Sequence, residues 1–170
     1  MNYHLRKANA SEVPQIWDII QQAIIRRKND GSEQWQDGYP NETFIQQDIE
    51  KQIGYVIIVD DTIAGYAVVL FNDEPEYEKI RGKWLTNDDF AVLHRVAISD
   101  EYLGKGLAQK IFLFTEVLAI ENNIFSIKVD TNFDNIPMLR ILKKLGYIYC
   151  GEVTFRGGAR KAFEKKLTEN

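Results

Sequence analysis

Between Ser99 and Ala108 the chain reads Ser-Asp-Glu-Tyr-Leu-Gly-Lys-Gly-Leu-Ala, and these residue types at this spacing suit the holding of an anion. Leu107, Ile111, Phe114 and Leu118 recur at helical spacing, so a helix of about four turns opens near Gly104. The first N–H groups of a helix have no internal partners, and the macrodipole places roughly half a positive charge there. Gly104 and Gly106 leave out the side chains that would keep phosphate oxygens from the main chain. Lys105 and Lys110 add local positive charge to a chain whose formal net charge is −4. Two familiar phosphate cradles fail here. A Walker loop needs a longer glycine spacing that ends in Lys-Ser or Lys-Thr, and a dinucleotide fingerprint needs a third glycine where Gln109 stands.

Those residues must be positioned by the elements around them. Tyr3 to Lys7 reads as a short strand, and Asn9 or Ser11 caps a helix with Val13, Ile16, Trp17, Ile20 and Ile24 on its apolar face. The loop from Ser32 to Glu42 is polar and aromatic, and a short helix follows over 43–51. Two β-branched runs, 54–59 and 63–71, flank Asp60-Asp61-Thr62 and predict a hairpin. Residues 72–89 are acidic and read as a solvated excursion between strands. Residues 90–98 form a buried strand that feeds the glycine turn. Then come a strand over 124–129, a helix over 135–145 closed by Gly146, a strand over 147–155, and a last strand over 161–167 entered through Gly157-Gly158. Hairpins with one central crossover predict a mixed sheet flanked by helices, splayed near the strand that ends at Ile98.

At 170 residues the chain is sized for one domain, 1–170, with 45% hydrophobic, 27% charged and 12% aromatic residues, which disfavours disorder. The single cysteine, Cys150, allows no internal disulfide, and no paired metal-ligand spacing exists, so no metal is expected. Negative net charge disfavours nucleic acid and acidic membranes as partners. No apolar run approaches the roughly 20 residues of a membrane span, and the start has neither a basic n-region nor an apolar h-region. A cytoplasmic location is the expectation.

The run HRVAISDEYLGKGLAQKI resembles the coenzyme-A-binding motif of the GNAT superfamily of acyl-CoA N-acyltransferases: a strand, then Gln or Arg, two residues, Gly, one residue, and Gly or Ala. Glu101 takes the Gln/Arg place, which is a departure, and Gly104 and Gly106 take the glycine places. NIPMLRILKKLGYIYCG and FRGGARKAFEKKL are similar to the family's later helix and strand and to its final hairpin. The resemblance implies a mixed, mostly antiparallel sheet of six to seven strands with about four helices, splayed after the fourth strand. It also implies acetyl-CoA or coenzyme A as cosubstrate and an amine as acceptor; homodimers are common in the family, though no interface is legible here. The pyrophosphate would sit on the amides of Leu103, Gly104, Lys105, Gly106, Leu107 and Ala108, and pantetheine would pair with Val96, Ala97 and Ile98. Asn135 would meet the pantetheine arm, although a residue of its type at a helix start would cap it anyway. Lys144 would be a phosphate contact.

An alkylamine of pKa about 10.4 arrives protonated, so the reaction needs a base. The family's glutamate-base position falls on Val92 and its tyrosine-acid position on Leu142. His94 is then the base candidate, with an ordinary pKa of about 6.5 and a strand position where some arylalkylamine-acetylating relatives carry a histidine. A core histidine is the competing reading. Tyr147, Tyr102 or water would serve as acid, or the thiolate leaves unassisted. In the acceptor region the resemblance points to the early loop, where Trp35 and Tyr39 could wall an apolar slot or simply pack the loop onto the sheet. The function so implied is N-acetyl transfer to a primary amine of a small molecule or peptide. The rival is a non-catalytic acyl-CoA-binding or regulatory module on the same fold.

Overall fold

Alternation and helical periodicity carry through into the computed structural model, which describes residues 1–156 and 158–168. Its elements in chain order are β1 (Tyr3–Lys7), α1 (Val13–Asn29), α2 (Glu42–Glu50), β2 (Gly54–Val59), β3 (Thr62–Phe71), β4 (Arg81–Gly82), β5 (Ala91–Ile98), α3 (Leu107–Glu121), β6 (Ser126–Thr131), α4 (Ile136–Lys144), β7 (Ile148–Phe155) and β8 (Gly158–Lys166). The strands form an eight-stranded mixed sheet in the order β1-β2-β3-β5-β6-β8-β7-β4. β1–β2, β2–β3, β4–β7, β6–β8 and β7–β8 pair antiparallel, and β5 pairs with β6 in parallel, Ala91 with Ile127 and Val92 with Lys128.

The chain divides into two compact units. The first comprises Met1–Val69 and Arg95–Phe114, and the second Leu70–His94 and the chain from Thr115 onward. The chain passes from one unit to the other inside β3, inside β5 and inside α3.

In the first unit, Asn9 opens the helical stretch: its main-chain N–H donates to Glu12 Oε1 at 2.7 Å, and Glu12 N donates back to Asn9 O at 2.9 Å. The helix α1 buries Val13, Ile16, Ile19, Ile20 and Ala23. The expected Trp17 and Ile24 lie at the margin of that stripe, because the buried face is centred one residue round. The β2–β3 hairpin turns on Asp60 and Asp61, both at positive φ (46° and 69°), which gives the twist a two-residue hairpin requires.

In the second unit the excursion over 72–89 is not merely solvated. A 3₁₀ turn at Pro75–Lys79 sinks Tyr77 to 1% exposure, where it packs with Val92, Val153 and Ala162. The strand β4 then pairs with β7, Arg81 to Glu152 and Gly82 to Gly151. A methyl group on either glycine would overlap the other strand's main chain, at the carbonyl of Cys150 or of Arg81. This two-residue strand takes the sheet beyond the six or seven strands expected. The last strand starts at Gly158, earlier than expected, because Gly158 and Ala159 already pair with Phe155 and Thr154. Gly157, assigned to the preceding turn from sequence, lies outside the described residues.

Candidate functional site

In the first unit, α1 fixes the exit of β5. Arg26 Nη2 donates to Ile98 O at 2.7 Å, Arg26 Nη1 pairs with Asp100, and Gln22 Oε1 accepts from Asp100 N at 2.8 Å. Beyond this clamp Leu103, Gly104, Lys105 and Gly106 are exposed. Gly104 and Gly106 take φ of 75° and 73°, so the turn needs glycine for its backbone as well as for access, and added Cβ atoms would meet nothing within 4 Å. The first helical bond runs from Lys110 N to Gly106 O at 3.1 Å, which leaves the amides ahead of it with no intrahelical partner. Lys105 Nζ lies 5.2 Å from the Tyr102 ring centre and Lys110 Nζ 4.5 Å from that of Tyr3. The structure thus brings Leu103 through Gly106 into one exposed corner, with Leu107 buried and Ala108 half-buried behind it. Of the strand residues expected to meet pantetheine, Ala97 and Ile98 are buried and Val96 is half-buried; the Ile98 carbonyl is already taken by Arg26.

Sequence reasoning passed over Arg95, and the structure does not. At a φ of 52° in mid-strand, it forks onto Asp48, Nε to Oδ2 at 3.0 Å and Nη2 to Oδ1 at 2.5 Å, and Nη1 donates to the Tyr39 hydroxyl. Tyr66 OH also donates to Asp48, at 2.8 Å. Tyr39 stacks edge-on to Phe44 with ring centres 4.8 Å apart. Tyr39 therefore joins a polar cluster with Arg95, whereas Trp35 is 9% exposed. The available signal was an arginine in a buried strand, which has to find a carboxylate.

In the second unit His94 sits between two carboxylates. Its Nε2 is 2.7 Å from Glu74 Oε2, and its Nδ1 is 3.7 Å from Asp130 Oδ1. A carboxylate accepts, so Nε2 carries a hydrogen toward Glu74, and Nδ1 faces Asp130. Asp130 also accepts from Tyr77 OH at 2.6 Å and lies 3.7 Å from Arg160 Nη1. Both of these partners are carboxylates. Glu74 comes from the excursion, so sequence pattern alone gave no reason to single it out.

Tyr147 fares differently. It is 5% exposed, and burial first, with Glu116 second, pushes its hydroxyl well above the ordinary tyrosine pKa, which makes it a poor proton donor. Asn135 caps α4, its side-chain oxygen accepting from Met138 N at 3.3 Å, and it is buried. Lys144 is exposed in the last turn of α4. Val92 and Leu142 are both fully buried, and neither can exchange a proton. Among the described residues no group of three or more His, Cys, Asp or Glu side chains could hold a metal ion, and no helix is long and apolar enough to cross a membrane.

The profile of the acetyltransferase (GNAT) family matches residues 16–147, and the chain belongs to that family. No curated protein matches it. A solved GNAT-family acetyltransferase from Streptococcus agalactiae is 38% identical with a TM-score of 0.88, covering 99% of this chain and 96% of its own. One from Listeria monocytogenes is 22% identical with a TM-score of 0.78, covering 97% and 95%. A Salmonella typhimurium protein described as an acetyltransferase, solved with acetyl-CoA, is 15% identical with a TM-score of 0.69, covering 100% and 96%. At these last two identities the likeness is one of fold.

Proposed function

We propose that the chain, acting as one cytoplasmic domain, transfers the acetyl group of acetyl-CoA to a primary amine of a small molecule or peptide. The observation that carries this reading is the exposed corner at the start of α3. There two glycines at positive φ present main-chain amides beside Lys105 and Lys110 on a chain that is negative overall. Leu103 through Ala108 would hold the coenzyme's pyrophosphate. Val96, whose neighbour Ile98 already has its carbonyl bonded to Arg26, would offer main chain to the pantetheine arm and its N–H to the developing oxyanion. Asn135 and Lys144 as coenzyme contacts rest on the family resemblance alone.

When bound, acetyl-CoA supplies a thioester whose acyl carbon bonds to the amine nitrogen as the C–S bond breaks. His94 Nδ1 accepts the amine's proton, and Asp130 steadies the resulting imidazolium. Glu74 is a positioning residue that fixes the tautomer. A thiol pKa near 8.5 lets the thiolate leave to solvent without a dedicated acid, which suits a buried Tyr147.

A second reading, a non-catalytic acyl-CoA-binding module, draws support from Val92 and Leu142, fully buried where relatives carry base and acid. Calorimetric titration with acetyl-CoA and coenzyme A, followed by a panel of amines and short peptides with a thiol-detecting dye, separates the two. Heat with thiol release supports the enzyme, and heat with no release on any amine supports the module. No heat with either carrier overturns both.

A further inference from the structure

Lys128 is a buried lysine whose ammonium forms no ion pair among the described residues. Ser126, Lys128 and Asp130 alternate onto one face of β6. Ser126 bonds Glu164 and Asp130 bonds Tyr77, but Lys128, only 4% exposed, makes no hydrogen bond or ion pair among the described residues. Its Nζ lies 4.2 Å from the ring centre of Phe90 and 4.7 Å from that of Trp84. Trp84 is held there by its Nε1, which donates to Tyr77 O at 2.8 Å. Glu164 stands opposite Lys128 in the β6–β8 register, yet its oxygens accept from Ser126 Oγ at 2.7 Å, Leu85 N at 2.8 Å and Thr86 Oγ1 at 2.6 Å. Burial accordingly pushes the Lys128 pKa down, with Glu164 and Cys150 pulling the other way. Ring faces offset only part of what a charged amine loses on leaving water.

Lys128, Trp84 and Phe90 together line a cavity of about 490 Å³, within the usual range for small-ligand sites. Asp73, Glu74, Glu78 and Asp88 also line it, as does Lys83. We propose that the cavity binds a small zwitterion, its carboxylate on Lys128 Nζ, its apolar stem between Trp84 and Phe90, and its ammonium toward the acidic residues. A phosphate or other polyanion would meet those carboxylates and be repelled. A simple amine would leave Lys128 unpaired and add a like charge beside it. The inference lies wholly within the second unit and stands whether or not the chain transfers acetyl groups.

Calorimetry on the full chain without coenzyme tests it, using four five-carbon probes: L-norvaline, 5-aminopentanoate, pentanoate and pentylamine. At least one of the two zwitterions is expected to bind about tenfold or more tightly than pentanoate and pentylamine. Lys128→Met, which keeps the stem and removes the charge, should weaken that binding about tenfold or more with an unchanged circular-dichroism spectrum. Should that variant not fold, the four-probe ranking on the wild-type chain decides. Pentanoate or pentylamine binding as tightly as the better of the two zwitterions overturns the proposal. So does the absence of saturable heat from both zwitterions at millimolar concentration, or a folded Lys128→Met variant that binds them like wild type.

Discussion

Arg95 and Asp48 form a buried ion pair whose two charges depend on each other, with side chains 11% and 4% exposed. Removing one partner strands the other, and such losses run to about 3–5 kcal/mol. Asp48→Ala is therefore expected to lower stability by roughly that amount in urea unfolding, and adding Arg95→Met should recover part of the loss. In the second unit, His94→Ala should lower kcat by about 10² with amine acceptor. Glu74→Gln, which keeps the geometry and removes the charge, should cost less in kcat than His94→Ala. Tyr147→Phe should leave the rate unchanged; a large drop in steady-state rate would return the hydroxyl to the chemistry.

At the scale of elements, the short β4 anchors the excursion through its glycine pair with β7. Gly82→Ala should destabilise the chain by roughly 2 kcal/mol, since the methyl collides with main chain that cannot move aside cheaply. Thermal melts, with Trp84 fluorescence as local probe, would register the loss. That strand also marks where sequence reading stopped. The glycine corner was legible because its signals are local: two glycines, flanking lysines and a helix-periodic run within twenty residues. The helices and seven of the strands followed from alternation and 3.6-residue spacing. Two residues, Arg81 and Gly82, carry no periodicity, and the strand exists only because Gly151 lies opposite. The acidic composition of residues 72–89 masked Tyr77, whose burial determines the segment's path. Likewise Glu74 meets His94, and Asp48 meets Arg95, across separations in sequence that no local pattern encodes.

For the whole molecule, binding of acetyl-CoA to the folded chain must raise its melting temperature by mass action. At a hundredfold excess over Kd the gain is about 2.7 kcal/mol, or roughly 5–10 °C for a chain of this size. Differential scanning fluorimetry should show that shift for wild type and none for Gly104→Glu. Gly104→Ala is the control for backbone strain: at a φ of 75° it should lower the melting point of the free chain by a few degrees and keep most of the ligand-induced shift. The threading of the chain also bears on how it is made. A ribosome that has released residue 94 has completed neither unit, because the first still awaits Arg95–Phe114. That unit can close once Phe114 clears the exit tunnel. The second must wait for β8, which lies between β6 and β7, so the edges of those two strands stay unpaired until it emerges.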